Sequence, residues 1–221
     1  MKSALRFLAL TIQIAGALVL VYCAFVFVHA QAFQAYTKWL FDQALWNRQS
    51  AIQRYSESPV SLPLFSDRTV PELDSLIGRI EIPRLRLSTM ILEGAAERQL
   101  KLGAGHVSGT ALPGETGNVV IAAHRDTFFG PLRKISKNDQ IVLTTLSGSF
   151  QYIVESVQIT DPDNTAALQP SAEPALTLVT CYPFTFVGSA PQRFIVRARK
   201  VGYEGQGIRS DPQVIEGRWP R

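Results

Sequence analysis

The sequence predicts a mainly β domain, a small closed barrel or sandwich with one or two short helices, carried behind an N-terminal transmembrane helix. Three observations predict it. Short apolar runs punctuated by Gly and Pro recur from about residue 76 to residue 201. Only one short patch in that region has a helical pattern, and a long uncharged apolar stretch opens the chain. The chain divides accordingly into an anchor (1–32), a juxtamembrane helix with a Pro-containing linker (33–75), a β domain (76–201) and a flexible polar tail (202–221).

The anchor comes first. From Phe7 to Ala30 there are 24 residues without a charged side chain apart from His29. At about 1.5 Å per residue that length crosses a hydrocarbon core of about 30 Å. Lys2 and Arg6 precede it, so the positive-inside rule predicts a single-pass signal-anchor with the β domain on the extracytoplasmic side of the membrane. Ala30-Gln31-Ala32 has the small-x-small form of a cleavage site, but the apolar stretch is much longer than the h-region of a signal peptide. After it, Trp39, Phe41, Trp46 and Tyr55 among polar residues predict a helix that continues the anchor or lies at headgroup depth, and a plain helical stalk fits equally. Pro59, Pro63 and Pro71 mark an extended linker.

The β pattern then runs in order. Gly78–Ile82 alternates and stops at Pro83, and Leu87–Leu92 follows. Ala95–Leu102 is the helical patch, and 103–117, rich in Gly and Pro, reads as one long loop. Asn118–Ala123 is an apolar run reaching His124. Gln140–Thr145 and Phe150–Ile159 flank a Gly-containing turn and predict a hairpin. Ala175–Cys181 is β-branched and apolar, and Pro183 halts it. Arg193–Lys200 alternates, with Phe194, Val196 and Ala198 on one face.

Composition excludes some classes. The net charge of +4 is mild, basic residues are scattered, and no aromatic stripe is interleaved with them, so nucleic-acid binding has no support. Cys23 lies within the anchor and Cys181 in the β domain, so no internal disulfide is expected. No close pair of the Cys-x-x-Cys or His-x-x-x-His kind occurs, so neither a metal site nor a cofactor is expected.

A lone exported thiol at a strand end is either a small buried hydrophobe or a nucleophile. A nucleophile needs an acid/base partner and a donor for the oxyanion. His124 also ends a strand, 57 positions before Cys181. If the two strands run side by side in the same sense, both side chains emerge at one rim. If 175–181 and 193–200 pair antiparallel, Arg193 lies opposite Cys181. Asp126 is a weaker candidate to orient His124, and His106, between glycines, reads as a loop-ordering residue.

These residues resemble the sortase family, most closely its class D. The matching blocks, in order, are Gly78-Arg79-Ile80-Glu81-Ile82-Pro83, Gly103-Ala104-Gly105-His106 through Gly109-Thr110-Ala111-Leu112-Pro113-Gly114, Ala123-His124-Arg125-Asp126, Thr177-Leu178-Val179-Thr180-Cys181 and Arg193-Phe194-Ile195-Val196. The resemblance implies a closed eight-stranded sortase-type β-barrel and a cysteine transpeptidase. It implies Cys181 as nucleophile, His124 as general acid/base, Arg193 as oxyanion and substrate-positioning residue, and Thr180 as an aid to the oxyanion site. The implied partners are a surface protein bearing a C-terminal Leu-Pro-x-Thr-like signal and an amine acceptor from the cell wall or another surface protein. The acidic set of calcium-binding sortases is not found. Two rivals differ in pattern. An L,D-transpeptidase places its Cys and Arg closer together, and a non-catalytic anchored barrel does not require all three polar residues.

Overall fold

The computed structural model describes residues 2–55, 75–185 and 188–204. Most of the expected linker (56–74) and of the expected tail (205–221) therefore lies outside the described residues.

Eight strands close a barrel. In chain order they are β1 (Leu76–Ile82), β2 (Leu87–Glu93), β3 (Ala104–His106), β4 (Asn118–Ala122), β5 (Gln140–Thr145), β6 (Ser149–Thr160), β7 (Ala175–Tyr182) and β8 (Gln192–Glu204). Around the barrel they follow the order β1-β2-β3-β4-β7-β8-β6-β5. Two neighbouring pairs are parallel, β2 with β3 and β4 with β7, and the others are antiparallel. Closure leaves no open sheet edge. Inward residues alternate with outward ones, so Ile80 and Ile82 of β1, Leu176 and Leu178 of β7, and Val196 and Ala198 of β8 fill one core. Tyr152 lies in it with its hydroxyl bonded to the Gly114 backbone, and burial pushes its phenol up to about 12. Gly114 itself has φ +102° and faces the Phe150 ring, where a Cβ would come within 2.6 Å of the ring carbons.

Three expectations need correction. Residues 103–117 are not all loop, because Ala104–His106 pairs with Ile91–Glu93 and extends the sheet. Its Gly-rich sequence hides a strand that is made by its neighbours. The β8 strand also runs on through Gly202 to Glu204, because the 12-residue β6 offers it partners back to Ser149. Finally, Phe41 is no headgroup aromatic. It is buried against the barrel, and the Arg79 guanidinium sits 5.9 Å from the centre of its ring.

Two helices accompany the barrel. Helix α1 (Lys2–Tyr55) is unbroken, and by length and composition it holds one candidate membrane span. Beyond the apolar stretch, α1 docks on the barrel. Gln34 Oε1 accepts from the Met90 N–H at 3.0 Å, and its amide donates to the Leu102 carbonyl. Asp42 pairs with Arg79 at 2.9 Å, and Arg48 donates to the Leu146 carbonyl. Gly103 makes the approach possible, since a Cβ there would meet Met90 O at 2.7 Å and Gln34 Nε2 at 2.8 Å. Helix α2 (Glu97–Leu102) is the short patch expected from the sequence.

The β1–β2 turn is tied to the segment before β5 by one ion pair. Arg84 places its guanidinium fork on both Asp139 oxygens and also donates to the Lys134 carbonyl. Asp139 accepts in addition from the Ser136 N–H at 2.8 Å. The Arg84 hydrogen bond holds the Asp139 carboxyl below the usual carboxylate range. A depressed carboxyl stabilises the fold above its unfolded value of about 4, and that contribution fades as pH falls through the folded value. The unfolding temperature of the full chain in neutral detergent should therefore drop between about pH 5 and pH 3. Asp139→Asn should lower it at pH 7 and flatten that acid limb, and an unaltered limb would dismiss the pair as a contributor.

Candidate active site

Cys181 stands one residue before the end of β7. Leu176, Leu178 and Thr180 of that strand face the core, so Thr177, Val179 and Cys181 face outward. The thiol is half-buried and is not in a disulfide. Directly across the antiparallel pair stands Arg193 of β8. Opposed residues in such a pair project from the same face, so Cys181 and Arg193 both leave the outside of the barrel at that step. Arg193 donates from Nη1 to the carbonyls of Ala190, at 3.3 Å, and Gln192, at 3.1 Å, so one arm of the guanidinium fork rests on its own loop.

His124 arrives from the other side of β7. Every β4–β7 pair, from Asn118↔Ala175 to Ala122↔Val179, is 57 positions apart, the spacing that also separates His124 from Cys181. The association continues past the end of β4. The Ala123 N–H donates to Val179 O at 3.2 Å, and Thr180 Oγ1 donates to Ala123 O at 2.7 Å. The turn after His124 folds back, with the Phe129 N–H on His124 O at 3.0 Å. Phe129 and Leu132, both fully buried, hold that turn down. Cys181 and Arg193 stand on adjacent strands and His124 follows the end of β4 on the other side, so all three lie at one end of the barrel.

The carboxylate brought to this histidine is Glu97 of α2, whose Oε2 lies 4.0 Å from His124 Nε2. Asp126 is exposed and makes no such approach. The proton of the Thr180 hydroxyl is committed to Ala123, and the side chain is buried, so in this geometry the hydroxyl ties β7 to the segment carrying His124 and has no proton to offer an oxyanion.

A groove lies on the outer face of β8, at Ile195 and Arg197. Arg193, Ile195 and Arg197 follow one another on the outer face of β8, and beside the last two lies a cavity of about 280 Å³. Its other walls are Ser156, Gln158 and Thr160 of β6 and the β6–β7 loop at Asn164, Ala166 and Ala167. Asn118 holds that loop, donating to the carbonyls of Ala167 at 3.0 Å and Gln169 at 3.1 Å while accepting from Thr177 Oγ1 at 2.7 Å. The same end of the barrel carries an aromatic cluster, Tyr182, Phe184 and Phe194, with Phe184 and Phe194 ring centres 5.1 Å apart.

His106 orders a loop, but from within β3. It is buried, with Nδ1 2.6 Å from Glu93 Oε2 and Nε2 3.0 Å from both Ala111 O and Thr110 Oγ1. Glu93 also accepts from Ser108 Oγ at 2.6 Å. Sequence reasoning missed Glu93, whose signal was an acid closing an otherwise apolar strand. Among the described residues no three His, Cys, Asp or Glu side chains converge as a metal-binding set.

Comparison with known proteins bears on the family and the fold. The sortase domain model matches residues 80–201. Sortase D of Bacillus subtilis is 36% identical over 132 residues, covering 59% of this chain and 67% of that protein. Among solved structures, a Clostridium perfringens Sortase D5 transpeptidase superposes with a TM-score of 0.55 at 33% identity, covering 59% of this chain and 82% of its own. The catalytic domain of B. anthracis SrtD gives 0.55 at 32% identity, covering 65% and 99%.

Thr180→Val keeps the shape of the side chain and removes its hydroxyl. It leaves the Ala123 carbonyl unpaired and should cost about 1–3 kcal/mol in denaturant unfolding. An unchanged midpoint would show that the strand ends are held together without that bond.

Proposed function

The chain belongs to the sortase family of cysteine transpeptidases, and from that premise we propose a membrane-anchored enzyme in which Cys181 is the nucleophile, His124 the general acid/base and Arg193 the group that holds the oxyanion. The observation that carries the reading is the register of three neighbouring strands. Arg193 is paired across from Cys181, and His124 is one strand over at the matching step.

The chemistry follows from that arrangement. A peptide lies in the outer groove, with the threonine carbonyl of a Leu-Pro-x-Thr-type signal against Cys181. The sulfur attacks that carbonyl, and the negative charge that gathers on its oxygen is met by the guanidinium, which stays charged and offers several donors. The tetrahedral species collapses as the C–N bond breaks, and His124 supplies the proton that the departing amine needs. A thioacyl-enzyme remains. An acceptor amine then attacks the thioester carbonyl and gives its proton to His124. The C–S bond breaks, and Cys181 is restored with the new amide released. Arg197, farther along the same face, and the wall formed by the β6–β7 loop are placed to line the peptide.

The setting follows from α1. Its apolar stretch fits a membrane span, and Lys2 and Arg6 before it favour a cytoplasmic N-terminus, which puts the barrel outside the cytoplasmic membrane. The substrates are then surface proteins, and the acceptor is an amine of the cell wall or of another surface protein.

Two measurements test the assignment. Mass spectrometry of the full chain incubated with Leu-Pro-x-Thr-x peptides should find an acyl adduct on Cys181, and Cys181→Ala should form none. An adduct surviving in that variant would refute the nucleophile. Arg193→Lys keeps the charge but loses the fork, and turnover should fall about 100-fold. Near-normal turnover would remove Arg193 from the site.

A further inference from the structure

The fold gathers basic residues that look scattered in the sequence. A cavity of about 730 Å³ opens beside the rim, and five of its lining side chains are cationic against one carboxylate, Asp126. Arg84 and Arg86 come from the β1–β2 turn, Arg125 from the turn after His124, and Arg133 and Lys134 from the 3₁₀ turn Gly130–Lys134. Two of these have assigned work inside the protein. Arg84 is forked onto Asp139, and Arg125 donates to the Gly188 carbonyl at 3.0 Å. Arg86, Arg133 and Lys134 are exposed and, among the described residues, have no carboxylate partner.

Converging like charges are unfavourable until something anionic neutralises them. Arg86 adds an independent sign. Its φ is +51°, the left-handed region that non-Gly residues seldom occupy. Glycine would sit there without strain, yet the chain carries an arginine directed into the cavity. The turn itself, closed by the Arg86 N–H on Pro83 O at 3.0 Å, accepts any residue that tolerates this conformation, and an arginine at that place adds a cation to the cavity wall.

We propose that this cavity binds a phosphoryl group. A carboxylate brings one charge and two oxygens. A phosphate or diphosphate brings more of both and can engage two guanidinium groups and an ammonium together. The ligand would lie against the turn that follows His124 and against Phe184, three residues after Cys181. The site is distinct from the thiol chemistry above and does not need it. Its carrier is either a membrane phospholipid headgroup or a soluble phosphorylated molecule.

The test is calorimetric titration of the full chain in neutral detergent with sodium pyrophosphate. Saturable binding is expected, weakened about 10-fold or more in Arg86→Gly and in the double variant Arg133→Gln with Lys134→Gln. Arg86→Gly relieves the left-handed backbone, so its unfolding temperature should be equal or higher, which separates lost binding from lost fold. Cys181→Ala should bind pyrophosphate like the unmodified chain, so this result stands or falls apart from the transpeptidase reading. Absence of saturable binding, or equal affinity in the variants, overturns the proposal. Repeating the titration in phosphatidylcholine nanodiscs with and without phosphatidylglycerol names the carrier. Competition by phosphatidylglycerol that Arg86→Gly abolishes supports the site with a lipid headgroup as carrier. Pocket-dependent binding unaffected by the lipid supports it with a soluble one.

Discussion

The rim depends on β4 and β7 lying parallel and adjacent. Parallel neighbours finish at the same end of a sheet, and an antiparallel partner of the second one begins there. The end of β4, the end of β7 and the start of β8 therefore coincide, and each delivers one polar side chain. Were β4 reversed, His124 would sit about five residues, roughly 17 Å, from the thiol. Were β7 to slip by one residue, Cys181 would turn into the core and Thr180 out of it. The slip is prevented by Leu176 and Leu178, which are fully buried, and by the Thr180–Ala123 hydrogen bond.

Much of this was legible in the chain because it is written in local pattern. The alternation of Arg193–Lys200 and the proline after Tyr182 mark two strand ends, and a short connection between them implies antiparallel pairing with Cys181 near Arg193. The eight-strand closure was not legible from pattern alone, because Ala104–His106 is too short and too rich in glycine to announce a strand. The approach of Glu97 to His124 was hidden for another reason. It joins a helix to a loop 27 positions later, and no periodicity encodes such a contact. The docking of α1 was hidden too, since Gln34 and Asp42 suit a headgroup-facing helix as well as a protein-facing one. The cationic cavity is of the same kind, assembled from turns that the sequence keeps apart.

Two buried polar anchors hold the irregular parts of the molecule. Glu93 and His106 fasten the segment that runs from β3 toward β4, and Asn118 fastens the β6–β7 loop that walls the groove. Both sit where strands meet loops, and both satisfy several partners at once. In a low-dielectric setting such networks are rigid when complete and costly when broken. The groove thus borrows its shape from the first residue of β4, whose last residues lead to the general acid/base proposed here.

The union of α1 with the barrel has a consequence of its own. The first docking residue, Gln34, lies about one helical turn beyond Ala30, where the apolar stretch ends. The membrane span proposed for α1, joined so directly to its globular domain, would work as a lever. A helix tilts to match the thickness of its bilayer, and here the whole barrel would tip with it, swinging the mouth of the groove toward or away from the lipid plane. Lipid composition would then set the angle at which this protein presents itself to its neighbours.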